Sequence, residues 1–140
     1  MIAGVRQFLG EFTTWASQRE SILAVALVGS QARGTASACS DVDLVILARN
    51  PAEFIRATEW IEEVGHPLRH AFEKYGNLEV CRVWYQRGLE VEFGFGGEDW
   101  PLDPGGVAVI ADGMRVLLDR GPLRAHHGGG ARASGFSSPG

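Results

Sequence analysis

Val28-Gly29-Ser30-Gln31-Ala32-Arg33-Gly34, followed with ten residues between Ser30 and Asp41 by Asp41-Val42-Asp43-Leu44, is the stretch on which the reading of this chain turns. Ahead of it, Ile22 to Val28 is short, wholly apolar and partly β-branched, the composition of a strand covered on both faces. Beyond a polar loop of small residues, Val42 to Leu47 resumes a strand pattern with Asp41 and Asp43 at its start. Side chains i and i+2 share one face of a strand, so the two carboxylates point to the same side. Paired acids at that separation repel unless cations neutralise them, and hard divalent ions such as Mg²⁺ favour oxygen ligands of this kind. Gly29 lets backbone approach a ligand with no Cβ in the way, and Ser30 offers an amide and a hydroxyl to phosphate oxygens at the start of a short helix. The two halves fit one ligand, a polyphosphate bridged by ions on the aspartates. A lone D-x-D or a lone G-S is a weak signal, since acidic strand ends are commonly solvated caps. Their conjunction with two apolar strands is far more specific.

Working outward, Val5, Phe8, Leu9, Phe12 and Trp15 recur at spacings of three and four, which predicts an amphipathic helix within Ile2 to Arg19. Pro51 suits the first turn of a second helix whose buried stripe is Phe54, Ile55, Ala57, Ile61 and Val64, stopped by Gly65 and Pro67. His66 and His70 flank a loop and lack the spacing of a metal pair. Leu78 to Tyr85 and Leu89 to Phe95 read as an antiparallel hairpin across Gln86-Arg87-Gly88. Trp100 to Gly106 reads as loop, Val107 to Ala111 as a short apolar element, and Met114 to Leu118 as a last strand after an Asp112-Gly113 turn. Past Leu123 the Gly/Ser-rich composition, including His126-His127, cannot bury enough apolar area to offset ordering entropy. The expected organisation is one domain over residues 1–123 and a flexible tail over 124–140.

With 140 residues and 45% apolar composition the chain supports one core of ordinary size. A formal net charge of −4, with Lys74 as the only lysine and the arginines scattered, argues against a nucleic-acid surface, which needs a clustered basic face. A nucleoside triphosphate asks less, since a few local cations neutralise it. Cys39 and Cys81 have neither C-x-x-C spacing nor a leader sequence ahead of them, so free thiols in a cytoplasmic protein are expected. No apolar run approaches the ~20 residues of a membrane span.

At Gly29, Ser30, Ala32, Arg33, Gly34, Ser40, Asp41, Asp43 and Leu44 the sequence resembles the DNA polymerase beta-like nucleotidyltransferase superfamily, and more narrowly its small bacterial members with a G-S-x-A-R-G…S-D-x-D-L signature. The resemblance is strong over residues 20–50 and looser over 76–120. It implies an α/β (α+β) single domain with a mixed sheet flanked by helices. It also implies two Mg²⁺ ions and transfer of a nucleoside monophosphate, AMP in first place, from a nucleoside triphosphate such as ATP with loss of pyrophosphate. The superfamily places a third carboxylate on a later strand, and Leu89-Glu90-Val91-Glu92-Phe93 offers it. Glu90 and Glu92 share a face opposite Val91, Phe93 and Phe95. Glu92 is preferred, because between Val91 and Phe93 an ionised side chain is costly without a metal or positive partner; Glu90 is the substitute. On this reading Asp41, Asp43 and Glu92 are both the catalytic residues and the metal ligands, with Gly29, Ser30 and Arg33 on the nucleotide.

Arg33 fits two roles equally well, contacting phosphate or bracing the turn through carbonyl hydrogen bonds. Arg82 reaches a triphosphate only if its strand face points inward. Trp84, Tyr85 and Trp100 read better as packing than as base or acceptor contacts. The acceptor hydroxyl belongs to a small molecule, as for antibiotic-modifying relatives of the superfamily, or to a partner protein, as for its antitoxin members that adenylylate a toxin. The competing class is a non-catalytic nucleotide-binding or antitoxin-type module that acts by binding a partner. An exposed hairpin edge also admits a homodimer.

Overall fold

The computed structural model describes residues 3–34 and 41–126. Helix α1 (Ala3–Ser17) turns Val5, Phe8, Leu9 and Phe12 toward the core, as the spacing predicts. Strand β1 (Ile22–Val28) is buried along its whole length and pairs antiparallel with β2 (Val42–Ala48). Between them the short helix α2 (Gly29–Arg33) begins at the glycine. After β2 come α3 (Glu53–Arg56), α4 (Trp60–Glu63), β3 (Pro67–Tyr75), β4 (Leu78–Tyr85) and β5 (Glu90–Gly96), then α5 (Pro104–Asp112) and β6 (Arg115–Asp119). The six strands form one sheet in the order β3-β4-β5-β2-β1-β6, antiparallel throughout except for β2 beside β5. This is the mixed sheet flanked by helices that the resemblance implies.

Strand alternation divides the core in two. One face carries Leu27, Leu44, Ile46, Val83, Phe93 and Phe95 against α1, α3 and α4, and the other carries Ala24, Ala26, Val45, Leu47, Leu78 and Val80 against Trp100 and Leu123. That second face becomes polar toward the start of β2, where the carboxylates lie. Cys81 is buried on the helical face, and burial pushes its thiol up to about 12, so it is a packing residue.

Several expectations are corrected. Residues 51–64 form two short helices, because Ala57 leaves the helical conformation at φ −124°, ψ 114°. The break releases the Phe54 carbonyl, which accepts a hydrogen bond from Trp60 Nε1 at 2.8 Å. It also lets Phe54 stack on Phe95 with centroids 4.9 Å apart while Trp60 meets Phe93 edge-on at 4.8 Å. Aromatic packing outweighs helix continuity here. Residues 67–75, where the sequence reading placed only a loop between His66 and His70, form the edge strand β3, so the expected hairpin β4–β5 lies inside the sheet. The supposed loop at Pro104 is the first turn of α5, with proline at its favoured N-terminal position. There a Cβ on Gly106 would stand 1.9 Å from the Trp100 carbonyl oxygen, so this glycine serves close packing. Tyr85 and Trp100 are buried, in agreement with the packing reading. Among the described residues no helix is long and apolar enough to cross a membrane. Ser40, Cys39, His127 and the tail from residue 127 onward lie outside the described residues.

Candidate active site

The register of two strand pairs builds the site. In the parallel pair β2–β5, Asp43 stands opposite Glu92, and in the antiparallel pair β4–β5, Arg82 stands opposite Glu92. Asp41 lies two residues before Asp43 and so shares its face. One carboxylate oxygen from each of Asp41, Asp43 and Glu92 falls within a 4.8 Å group, and all three residues are partly buried. Glu90 points to the same face but falls outside this group; it accepts a hydrogen bond from Arg82 Nη1 instead.

Like charges crowded into partial burial resist ionisation. Asp43 is raised by desolvation and then by the Asp41 charge, while Glu92 is pushed up to about 7 by desolvation, with the Asp43 charge the next cause. Arg82 offsets part of this repulsion. Its Nη1 lies 3.1 Å from Asp41 Oδ2, its Nη2 3.0 Å from Glu92 Oε2 and its Nε 3.2 Å from Glu73 Oε2, besides the contact with Glu90. Burial acts to lower the guanidinium pKa, but the hydrogen bonds to Glu90 and Glu73 and the nearby acids raise it above its ordinary value. The sequence leaves the face of Arg82 open; the pairing of β4 with β5 settles it.

On the β1 side, Gly29 adopts φ +73°, and a Cβ there would lie 2.3 Å from Asp43 Oδ2. The glycine is required both by its backbone conformation and by the carboxylate against it. Ser30 follows in α2 beside this contact. Arg33, one turn on, binds Asp112 at the end of α5, with Nη1 2.5 Å from Oδ2. Asp112 was not foreseen, because nothing in a D-G turn signals a partner 79 residues away. A cavity of about 510 Å³ opens over this face, with Gly29, Asp43, Glu92 and Asp112 among its polar lining and Val45 and Val80 in its apolar floor. Three hard oxygen donors converging beside a glycine cradle suit a divalent cation such as Mg²⁺.

No curated protein matches the chain. Among solved structures it is similar to an aminoglycoside 6-adenyltransferase from Bacillus subtilis, at 14% identity over 78% of this chain and 39% of that one, with a TM-score of 0.57. A cytoplasmic RNA terminal U-transferase matches at 16% identity over 78% of this chain and 31% of that one, with a TM-score of 0.54. A mutant of the Cid1 poly(U) polymerase bound to MgATP matches at 16% over 76% and 35%, with a TM-score of 0.50. At such identities the likeness is one of fold, and the chain spans well under half the length of each. The model of the nucleotidyltransferase domain matches residues 9–88, more than half of the chain, spanning the Gly29-Ser30 turn and both aspartates. The chain belongs to the nucleotidyltransferase domain family.

Proposed function

We propose that this domain transfers a nucleoside monophosphate, adenylyl in first place, from a nucleoside triphosphate to a hydroxyl of a small molecule or a protein. The observation that carries the reading is the convergence of Asp41, Asp43 and Glu92 oxygens within 4.8 Å, on the sheet face reached by the Gly29 turn. Asp41, Asp43 and Glu92 would together hold two Mg²⁺ ions, which when bound would supply charge neutralisation for an in-line displacement at the α-phosphorus, with pyrophosphate leaving. Gly29 and Ser30 receive the phosphates at the turn. Glu92 also assists deprotonation of the acceptor hydroxyl. Arg33, already paired with Asp112, braces that turn and brings positive charge close to the phosphate path.

Adenylyl is put first because one similar structure is an adenyltransferase. The chain covers under half of that protein, so its acceptor is not carried over to this chain. The decisive assay incubates the protein with Mg²⁺, each of the four labelled nucleoside triphosphates, and hydroxyl acceptors including a cell lysate, beside Asp43→Ala. Label transfer from ATP that disappears in the variant supports the proposal. Absence of transfer from any nucleotide, together with absence of metal-dependent nucleotide binding, leaves the non-catalytic partner-binding reading in its place.

A further inference from the structure

We propose that β3 is a homodimer interface, pairing antiparallel with β3 of a second copy about a two-fold axis through Ala71. Nine residues long and at the end of the sheet, β3 has no strand on its outer side among the described residues. It also exposes apolar side chains: Leu68 is 67% and Phe72 47% exposed. A long, regular edge of this kind is ordinarily protected by a bulge, an inward charge or a partner. The one irregularity against β4 lies at its start, between Pro67 and Arg69. From Arg69 to Tyr75 the pairing with β4 is regular, and among the described residues no strand covers the outer edge.

The order of charges selects the occupant. An isologous contact brings one surface against itself, so residue i meets j and j meets i. With the axis at Ala71, Arg69 of each copy faces Glu73 of the other, giving two opposite-charge pairs on one face. On the other face His70 meets Phe72, so the exposed ring and the imidazole already packed edge-on against it, with centroids 5.3 Å apart, are covered together. Ala71, the smallest side chain of the strand, meets its own copy. Centring on His70 or Phe72 would lose both charge pairs. The interface also meets the active site, since Glu73 accepts from Arg82 Nε at 3.2 Å. Pairing with Glu73 would draw the Arg69 guanidinium of the second copy from its place over its own Trp84 ring, 3.8 Å from the centroid, toward the network that holds Asp41 and Glu92. The inference rests on the sheet edge alone and does not depend on the proposed reaction.

Sedimentation of the full chain across the micromolar range tests it. The wild type should run at twice the chain mass, and Arg69→Glu and Glu73→Arg should each weaken the dimer by about tenfold or more. Mixed in equal amounts, the two variants should recover the dimer, because every facing pair is then of opposite charge. Should a charge reversal fail to fold, Ala71→Cys replaces it. Facing Cα atoms about 4.5–5.5 Å apart lie within disulfide reach, so in a Cys39→Ser background this variant should cross-link under oxidation while Lys74→Cys and the unsubstituted background do not. A wild type of single chain mass, a dimer indifferent to either reversal, or equal cross-linking at Lys74→Cys overturns the proposal.

Discussion

Gly29 and Asp43 are in such close apposition that a methyl group on the glycine would stand 2.3 Å from the aspartate's Oδ2. Gly29 also sits at φ +73°, where a side chain is strained even in open space. Gly29→Ala should therefore displace the Asp43 carboxylate and cost about 1–2 kcal/mol of stability. The expected result is a folded protein with a modestly lower melting temperature and no measurable metal-dependent nucleotide binding. Circular dichroism and calorimetric titration check both halves.

The crowded carboxylates make stability depend on pH with a definite sign. Glu92 is raised from 4.5 to about 7 in the folded protein, and Asp43 is raised as well. The unfolded chain then ionises first, so the Glu92 contribution is fully present below pH 4.5 and is lost as pH rises through about 7, and Asp43 acts in the same direction. In chelator the protein should lose roughly 1–2 kcal/mol across this window, the full shift being discounted for solvent screening. Glu92→Gln should flatten the profile, and Mg²⁺ should restore stability at the alkaline end. Denaturant titrations at several pH values decide it, and a stability that rises through this window would contradict the site's electrostatics.

Arg82 and a divalent cation draw on the same carboxylates of Asp41 and Glu92. Arg82→Ala should consequently bind Mn²⁺ severalfold more tightly than the wild type in the absence of nucleotide. In chelator the same variant should be less stable by about 1–3 kcal/mol, because the acids lose their counter-ion. Opposite signs in the two measurements distinguish this competition from simple structural damage. Mn²⁺ titration followed by electron paramagnetic resonance, with melting in chelator, reads both.

The break between α3 and α4 depends on Trp60 as a hydrogen-bond donor to the Phe54 carbonyl. Trp60→Phe keeps much of the ring packing and leaves that buried carbonyl without its partner. A loss of about 1–3 kcal/mol is expected, read as a lower denaturant midpoint with an unchanged slope. Activity and metal binding should persist, since the aromatic layer lies on the sheet face opposite the carboxylates.

What was legible in the sequence follows from where the information is local. The run from Ile22 to Val28, the Gly29-Ser30 turn and the alternation of Asp41 and Asp43 each obey a rule of a few residues, and the structure realises all three. The shared face of Glu90 and Glu92 was legible for the same reason; that Glu92 and not Glu90 approaches the aspartates depends on the β2–β5 register. Strand β3 was hidden because both its faces are largely exposed, leaving no apolar alternation to read. The interruption at Ala57 was hidden because rings from distant strands impose it. The orientation of Arg82 and its ties to four carboxylates arise from strand pairing, which no single segment encodes.

The central claim is that Asp41, Asp43 and Glu92 together hold divalent ions that bind a nucleoside triphosphate. Calorimetric titration of a non-hydrolysable ATP analogue, with Mg²⁺ and with chelator, against wild type, Asp43→Ala and Glu92→Gln, tests it most directly. Binding that requires Mg²⁺ in the wild type, vanishes in Asp43→Ala and weakens by tenfold or more in Glu92→Gln is the predicted result. Binding of equal strength in chelator, or undiminished in Asp43→Ala, would contradict it.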